Sequence, residues 1–305
     1  MEKWSIDRLP YEQGKVAVVT GANSGLGYET ALQLAKKDVA VILACRSLQK
    51  AEEAQAKIVH EYPKAQVKSI QIDVSSLRSV KEFAHQLKEG YDKLHLLINN
   101  AGIMMPPYRL TAEGFESQLA TNYLGHFALT GLLLPLLAAT PGSRVVTLSS
   151  LSYKWAQIDF DDLHARKGYN RRKAYGQSKR ACLVFAYELQ RRLSAASHHT
   201  VSVAAHPGLS KTNLDRYFPA LIRPLGALFL QPAARGALPI LYAALDKSIQ
   251  GGEFIGPDGF QEIRGYPTEV DSDDNSKDQH IAARLWRVSE EMTGVYYLNE
   301  KVEGA

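Results

Sequence analysis

Four tyrosines in this sequence are each followed four residues later by a lysine, a spacing that places both side chains on one face of a helix. A phenol beside an ammonium group suits proton transfer, because the ammonium stabilises the phenolate that forms when the proton leaves. Only Tyr175 and Lys179 begin a long amphipathic stretch. The other pairs are Tyr11/Lys15, Tyr169/Lys173 and Tyr297/Lys301. The context therefore singles out Tyr175 and Lys179 as the pair that could serve proton transfer, with the phenol of Tyr175 as the proton donor or acceptor.

A glycine-rich turn, TGANSGLG, covers Thr20–Gly27 between the first apolar run and the first amphipathic stretch. Gly21 permits a tight turn, Gly25 lets the backbone approach a pyrophosphate, and Gly27 allows close helix–strand packing. The following helix offers free N–H groups and the positive end of its dipole to the phosphates. A glycine pattern alone is weak evidence, but this strand–turn–helix context predicts dinucleotide binding.

The end of the second predicted strand indicates which dinucleotide binds. A carboxylate that holds the ribose of NAD is expected about 20 residues after the glycines, but the strand ends in Ala44-Cys45-Arg46. The guanidinium of Arg46 suits a 2′-phosphate. NADP(H) is therefore the predicted cofactor, with the alternative that Arg46 is an ordinary surface residue.

The elements that must position these groups alternate between short apolar runs and amphipathic stretches. The runs are typical of strands covered on both faces and comprise Val16–Thr20, Val39–Ala44, Val67–Asp73, Leu94–Asn100, Arg144–Ser149, Val201–His206 and Glu253–Ile255. The helical stretches are Leu26–Lys36, Leu48–His60, Leu77–Lys88, Ala112–Ala138 and Ala174–Ser197. This order predicts an α/β fold: a single doubly wound Rossmann-like domain with a mostly parallel seven-stranded sheet flanked by helices.

Two segments depart from the alternation, and both follow the carboxyl end of a strand, where ligands bind in open α/β sheets. Leu151–Lys173 is a long polar connection, whereas Leu209–Gln231 is apolar and interrupted by proline and glycine. The apolar segment is expected to cover a hydrophobic substrate. The charged run Asp271–Asp278 is expected to be a solvated loop. The longest apolar run, Phe127–Ala139, is shorter than the ~20 residues that span a bilayer.

Composition excludes several classes of protein. The 305 residues include 36 Lys+Arg and 32 Asp+Glu, a net charge of +4 that is too mild to indicate a nucleic-acid partner. Two cysteines exclude a disulfide-stapled scaffold, and the nine histidines lack the spacing of metal ligands. Residues 1–15 are polar and have no apolar core of a signal peptide. We therefore expect a cytoplasmic protein with no metal, no nucleic-acid partner and no membrane span.

The ordered motifs across residues 14–260 resemble those of the short-chain dehydrogenase/reductase family. They are TGxxxGxG at Thr20–Gly27, Asp73-Val74, Asn99-Asn100-Ala101-Gly102, Asn122, Ser149-Ser150, Tyr175 with Lys179, and Pro207-Gly208. Single motifs of this kind are common, but the ordered set is specific. Cys45-Arg46, the run NYLGHF at Asn122–Phe127 and the long interval between Ser150 and Tyr175 most resemble the retinol-dehydrogenase-like branch.

The resemblance implies a catalytic set of Ser150, Tyr175, Lys179 and Asn122. Tyr175 would be the general acid or base, and Ser150 would hydrogen-bond the reacting oxygen, with Ser149 as the alternative. Lys179 would also bind the nicotinamide ribose, and Asn122 would hold a water in the proton relay. The implied cofactor contacts are Gly21, Asn23, Ser24, Gly25, Leu26, Gly27, Arg46, Asp73, Val74, Asn99, Ala101, Gly102, Tyr175, Lys179, Pro207, Gly208, Ser210 and Thr212.

The resulting hypothesis is an NADP(H)-dependent oxidoreductase that interconverts a hydrophobic aldehyde or ketone and its alcohol. One alternative is reduction of a carbon–carbon double bond, because Ala44-Cys45-Arg46 also resembles protochlorophyllide reductases. The other is an NADP(H)-binding sensor or scaffold without turnover, which would not need an intact Ser150, Tyr175 and Lys179. His206 is expected to have a structural role.

The chain is expected to form one domain over residues 1–305. Its dinucleotide-binding half would cover about 14–150, its catalytic and substrate half about 151–260, and a C-terminal tail 261–305. Family resemblance suggests a homodimer or homotetramer that pairs through the two long helices, Ala112–Ala138 and Ala174–Ser197. In the tail, Leu285-Trp286 and Tyr296-Tyr297 would close the substrate pocket or pack on a neighbouring chain.

Overall fold

An eight-stranded sheet runs through the computed structural model, which describes residues 3–210 and 230–297. In chain order the strands β1–β8 are Val16–Thr20, Ala40–Cys45, Val67–Gln71, Leu96–Asn99, Arg144–Leu148, Val201–Ala205, Phe254–Pro257 and Pro267–Glu269. Their spatial order is β3-β2-β1-β4-β5-β6-β7-β8, and all neighbours are parallel except β7 and β8. The predicted α/β fold is confirmed. The sheet has one strand more than the seven predicted. The additional strand, β8, has three residues and begins with proline, and such a short edge strand has no readable periodicity.

Seven helices of eight residues or more cover the sheet in the described part of the chain. In chain order α1–α7 are Gly25–Lys36, Leu48–Glu61, Leu77–Gly90, Gly125–Ala138, Arg171–Ala195, Leu238–Leu245 and Gln279–Thr293. Strand side chains alternate between two apolar layers: Val18 belongs to the layer that includes residues of α3, α4, α5 and α7, and Val19 to the layer that includes residues of α1, α2 and α6. Burial on both faces explains why the strands are almost continuously apolar.

The strand order reverses between β1 and β4. The chain proceeds from β1 to β2 and β3 on one side, then returns to β4 beside β1 and continues to β8 on the other side. Ligands bind at such a switch point, outside the carboxyl ends of the strands. In this chain the switch point brings the turn after Thr20 next to the segment after Asn99.

The predicted long helix Ala112–Ala138 is interrupted. Gly114 has a φ of +82° in an irregular loop, and helical structure begins only after Glu116, whose carboxylate accepts hydrogen bonds from the first N–H groups. A short turn at Ser117–Leu119 leads into a π-helical segment, Ala120–Leu124, and then into α4. A π segment inserts one residue into the helical repeat without disturbing the apolar pattern, so the sequence alone did not reveal it.

The C-terminal region contributes to the core. Trp286 on α7 is 2% exposed and packs edge-on against Phe127, and Tyr297 contacts the same ring. Leu285, Trp286 and Tyr297 are buried in the apolar layer to which α4 and α5 contribute, and α7 contacts both helices. Chains that pair through α4 and α5 would therefore have to use the part of these helices that α7 leaves exposed.

The charged run Asp271–Asp278 is not simply a solvated loop. Asp273 forms a two-point ion pair with Arg180, a residue of α5 whose side chain is buried. Both N–O distances are 2.7 Å. The acidic run is thereby attached to the helix that carries Tyr175.

Across residues 3–210 and 230–297, no helix has both the length and the apolar character needed to cross a membrane.

Candidate active site

The glycine-rich turn has the geometry of a phosphate cradle. Gly21 and Gly25 have φ values of +68° and +57°, which favour glycine. A Cβ at Gly27 would lie 2.5 Å from the carbonyl oxygen of Gly21, so α1 approaches the turn too closely for any other residue. The side chain of Ser24 at the N-cap makes no capping hydrogen bond. The first N–H groups of α1 therefore suit phosphate oxygens, as a dinucleotide requires.

The segment after β4 is hydrogen-bonded to the glycine-rich turn. The amide of Asn100 donates a hydrogen bond to the carbonyl oxygen of Thr20, at 2.7 Å. Ala101 and Gly102 follow, and a Cβ at Gly21 would lie 3.0 Å from the Cα of Ala101, so the two segments are in close contact. Asn99 is buried, and its amide is directed away from the site to the hydroxyl of Thr130 on α4, at 3.0 Å.

Arg46, Asp73 and Val74 lie where β2 and β3 end. Arg46 is exposed directly after β2. The carboxylate of Asp73 accepts hydrogen bonds from the N–H and the hydroxyl of Ser75 and is half-buried. Val74 is buried beside Gly125, and a Cβ added at Gly125 would overlap the carbonyl oxygen of Val74. The three residues thus lie along the edge that a dinucleotide would follow.

The two serines after β5 have different surroundings. Ser149 is buried, and its hydroxyl donates to the carbonyl oxygen of Lys179 at 2.8 Å, a structural bond between β5 and α5. Ser150 is half-buried, and its hydroxyl lies 2.6 Å from the hydroxyl of Ser152. Of the two, Ser150 has the hydroxyl that can also reach a ligand.

Tyr175 and Lys179 lie one turn apart on α5 beside the end of β5. Lys179 donates from Nζ to the carbonyl oxygen of Leu148, at 2.9 Å. A Cβ at Gly176 would lie 2.8 Å from the carbonyl oxygen of Ser152, so the glycine after Tyr175 lets the segment that follows Ser150 lie against α5. Tyr175 is 4% exposed.

Asn122, in the π segment, connects the segment after β4 with α5. Its Oδ1 accepts from the N–H of Ile103 at 2.8 Å, and its Nδ2 donates to the carbonyl oxygen of Ile103 at 3.1 Å and to the hydroxyl of Ser178 at 2.8 Å. A Cβ at Gly102 would lie 3.2 Å from Asn122 Oδ1 and 3.8 Å from Lys179 Nζ. The structure therefore brings Asn122, Gly102 and Lys179 together.

The turn after β6 carries Pro207, Gly208 and Ser210. The hydroxyl of Ser210 and the amide of Gln231 both donate to the carbonyl oxygen of Pro207, at 2.8 and 2.7 Å. Gly208 has a φ of +62°, and an added Cβ would lie 2.3 Å from the carbonyl oxygen of Ile263. Thr212 and most of the apolar segment Leu209–Gln231 lie outside the described residues.

Sequence analysis missed Glu262, which fixes this turn. The buried ring of His206 accepts from the N–H of Gly208 at Nδ1, so Nε2 carries the proton and donates to the Glu262 carboxylate at 2.8 Å. This hydrogen bond lowers the pKa of Glu262. Both Gln261 and Glu262 have positive φ, +50° and +58°, a strained backbone that the His206 bond helps to hold. The signal in the sequence was weak: Gly259 and Gly265 lie on either side of Glu262, which the sequence analysis assigned to a C-terminal tail.

Trp155 was also missed, because it lies in the long polar connection. Its ring centroid is 6.3 Å from that of Tyr175, and the Arg172 guanidinium lies 4.3 Å from the same indole. It is 40% exposed and forms an aromatic wall beside Tyr175. Among the described residues, no group of three or more His, Cys, Asp or Glu side chains could hold a metal ion.

Comparison with known sequences agrees with this geometry. A family model described as short chain dehydrogenase matches residues 15–220. The chain belongs to the short-chain dehydrogenase family. Retinol dehydrogenase 14 of Mus musculus is 38% identical over 300 residues, which cover 92% of this chain and 86% of that protein. Polyprenol dehydrogenase of Mus musculus is 37% identical over 296 residues, which cover 94% and 86%. These relatives identify the retinol-dehydrogenase-like branch.

Solved structures share the fold. A protein from Mycobacterium paratuberculosis has a TM-score of 0.82 and 40% identity, with 97% of this chain and 99% of that chain covered. Pseudomonas aeruginosa RhlG, solved as a complex with NADP, has a TM-score of 0.63 and 22% identity, with 80% and 96% covered, a likeness in fold. Membership of the family makes this short-chain dehydrogenase an oxidoreductase that uses a nicotinamide cofactor.

Proposed function

We propose that this short-chain dehydrogenase is NADP(H)-dependent and interconverts a hydrophobic aldehyde or ketone and its alcohol, with Tyr175 as the general acid or base. The observation that carries the proposal is the meeting of α5 with the end of β5. There Lys179 donates to the carbonyl oxygen of Leu148, two residues before Ser150, and Gly176, next to Tyr175, lets the segment that follows Ser150 lie against α5.

The proposed chemistry assigns each polar group a task. When bound, the nicotinamide cofactor supplies or accepts the hydride. In the reductive direction Tyr175 donates its phenolic proton to the carbonyl oxygen, and Ser150 donates a hydrogen bond to the same oxygen as negative charge develops. The Lys179 ammonium stabilises the phenolate that remains. In the oxidative direction Tyr175 takes the proton of the alcohol.

A hydrophobic substrate is favoured by partly exposed apolar side chains on the loops at the carboxyl edge of the sheet, where ligands bind in this type of fold. Met104 and Met105 are half-buried directly after Ile103, which Asn122 holds. Trp155 and Leu209 are 40% and 43% exposed. Partly exposed apolar side chains around a polar centre are typical of a pocket for an apolar ligand. Two relatives are named for retinol and polyprenol, both hydrophobic alcohols.

The choice of NADP(H) over NAD(H) depends on Arg46. We expect Arg46→Asp to reverse the preference, because a carboxylate repels the 2′-phosphate and accepts from a ribose 2′-hydroxyl. The ratio of kcat/KM with NADPH to that with NADH should fall by about 100-fold, as expected for loss of a charge-assisted contact. The matched control is Arg78→Asp on the surface of α3, where the ratio should not change. An unchanged ratio in Arg46→Asp would refute the phosphate assignment.

A substrate panel tests the function itself. NADPH oxidation would be followed with a long-chain aldehyde, an aryl ketone, an α,β-unsaturated ketone and a sugar phosphate, and the products identified by mass spectrometry. The proposal expects alcohols from the apolar carbonyl compounds and no reaction of the sugar phosphate. A saturated ketone from the unsaturated substrate would indicate a double-bond reductase, and tight NADPH binding without turnover would indicate a sensor.

A further inference from the structure

His126 is a buried polar side chain to which the proposed chemistry assigns no task. It lies on α4, 1% exposed, four residues after Asn122. Its Nδ1 is 3.0 Å from the carbonyl oxygen of Asn122, and its Nε2 is 2.9 Å from the hydroxyl of Thr20. One ring thus bridges the π segment that carries Asn122 and the residue at which the glycine-rich turn begins.

The hydrogen bonds of this bridge determine the tautomer of the ring. The carbonyl oxygen of Asn122 can only accept, so Nδ1 carries the proton. In the neutral ring Nε2 is then an acceptor, and the Thr20 hydroxyl donates to it at 2.9 Å rather than to its more distant second acceptor, the carbonyl oxygen of Ile98 at 3.3 Å. Burial lowers the pKa of His126 to about 4, so the ring is neutral at physiological pH.

The direction of the Thr20 hydroxyl follows from the tautomer. With its proton directed to His126, the oxygen presents its lone pairs to the N–H groups of Asn100 and Ala101, both at 2.9 Å. The hydroxyl is then fully used, with one bond donated and two accepted. Reversal of the His126 tautomer would set the Nδ1 lone pair against the carbonyl oxygen of Asn122, two acceptors, and would bring a third donor to the Thr20 oxygen that holds the N–H groups of Asn100 and Ala101.

We propose that His126 is a positioning residue that aligns two parts of the active site through separate ring nitrogens. Through Nε2 and Thr20 it fixes the backbone at Asn100 and Ala101, beside the predicted cofactor ribose. Through Nδ1 it fixes the main chain of Asn122, whose amide holds Ile103 and Ser178. The catalytic part of this inference rests on the proposed function.

Two conservative substitutions separate the nitrogens. His126→Asn places an amide N–H near the position of Nδ1 and removes the bond to Thr20, whereas His126→Gln places an amide oxygen near the position of Nε2 and removes the bond to Asn122. We expect His126→Asn to raise the Kd of NADPH about tenfold and to change kcat less than threefold. We expect His126→Gln to lower kcat about tenfold and to change the Kd less than threefold.

Control variants distinguish a positioning role of His126 from a general contribution to the stability of the fold. Kd would be measured by NADPH fluorescence, kcat on an accepted carbonyl substrate, and Tm by calorimetry. The matched substitutions at exposed His199, to Asn and to Gln, should change none of these quantities. If both His126 variants change Kd and kcat together in proportion to their loss of Tm, the ring has only a structural role and the proposal is wrong.

A second measurement does not depend on turnover. Long-range ¹H–¹⁵N spectra of the ¹⁵N-labelled protein report which ring nitrogen of His126 carries the proton. The proposal expects a proton on Nδ1 alone throughout pH 6–8, and a proton on Nε2 or a ring that titrates in this range would overturn it. If no carbonyl compound is reduced, these spectra and the NADPH Kd still test the bridge, so the two failures are distinguishable.

Discussion

Tyr175→Phe is expected to lower kcat/KM for an accepted carbonyl substrate about 1,000-fold, within the 100- to 10,000-fold range of general acid–base catalysis. The substitution removes only the phenolic oxygen. The ring can keep its place against Trp155, since Tyr175 is 4% exposed and phenylalanine fills nearly the same volume. The Kd of NADPH should change less than threefold. The measurement is initial rates of NADPH oxidation together with NADPH fluorescence titration.

Tyr11→Phe is the matched control, because Tyr11 also precedes a lysine by four residues. It is 69% exposed, and its lysine, Lys15, pairs with Glu12 outside the site. This variant should retain full activity. If Tyr175→Phe keeps more than a third of the activity on the accepted substrate, the proposed proton transfer is wrong, although family membership would stand.

The parts of the fold nearest the glycine-rich turn could be predicted because their signals are local. The predicted Val16–Thr20 has the observed bounds of β1, and α2 and α3 begin at the predicted Leu48 and Leu77. In each case a short apolar run or a serine N-cap marks the boundary within a few residues. The edge of the sheet that carries the site followed from the alternation of strands and helices, because ligands bind outside the carboxyl ends of the strands in open α/β sheets.

The parts that could not be predicted depend on contacts between distant residues. Glu262 bonds His206 at a separation of 56 positions, and Asp273 bonds Arg180 at a separation of 93. An acidic run has the same composition whether it is solvated or paired, so its charge pattern predicted a loop. His126 belonged to a motif that served the family resemblance, but its bond to Thr20, 106 residues away, has no signal in the spacing.

The Arg180–Asp273 pair is expected to contribute strongly to the stability of α5, the helix that carries Tyr175. Arg180 is 1% exposed and also donates to the carbonyl oxygen of Ala156, at 2.7 Å, and to the hydroxyl of Ser276, at 2.9 Å. The Asp273 side chain retains 38% exposure. Removal of the carboxylate leaves the buried guanidinium without its counter-ion, which is costly. Removal of the guanidinium leaves a carboxylate that water can still solvate, which costs less.

Asp273→Asn should therefore lower the free energy of unfolding by about 3 kcal/mol, and Arg180→Met should cost less. Urea denaturation at pH 7 measures both. The double variant should be more stable than the sum of the two losses predicts, because it leaves no unpaired buried charge. Lys277→Met is the control, since its partner Asp271 is 84% exposed and such pairs contribute 1 kcal/mol or less.

The same pair predicts how stability depends on pH. Hydrogen bonds from Arg180 lower the pKa of Asp273 from 3.8 to about 2. Because the folded pKa lies below the unfolded one, the carboxylate stabilises the fold above pH 4, and this contribution is lost as the pH falls from about 4 to 2. The gap in unfolding free energy between the parent protein and Asp273→Asn should narrow over that interval and stay constant from pH 5 to 7. A gap that persists at pH 2 would show that the asparagine disturbs packing rather than the charge on Arg180.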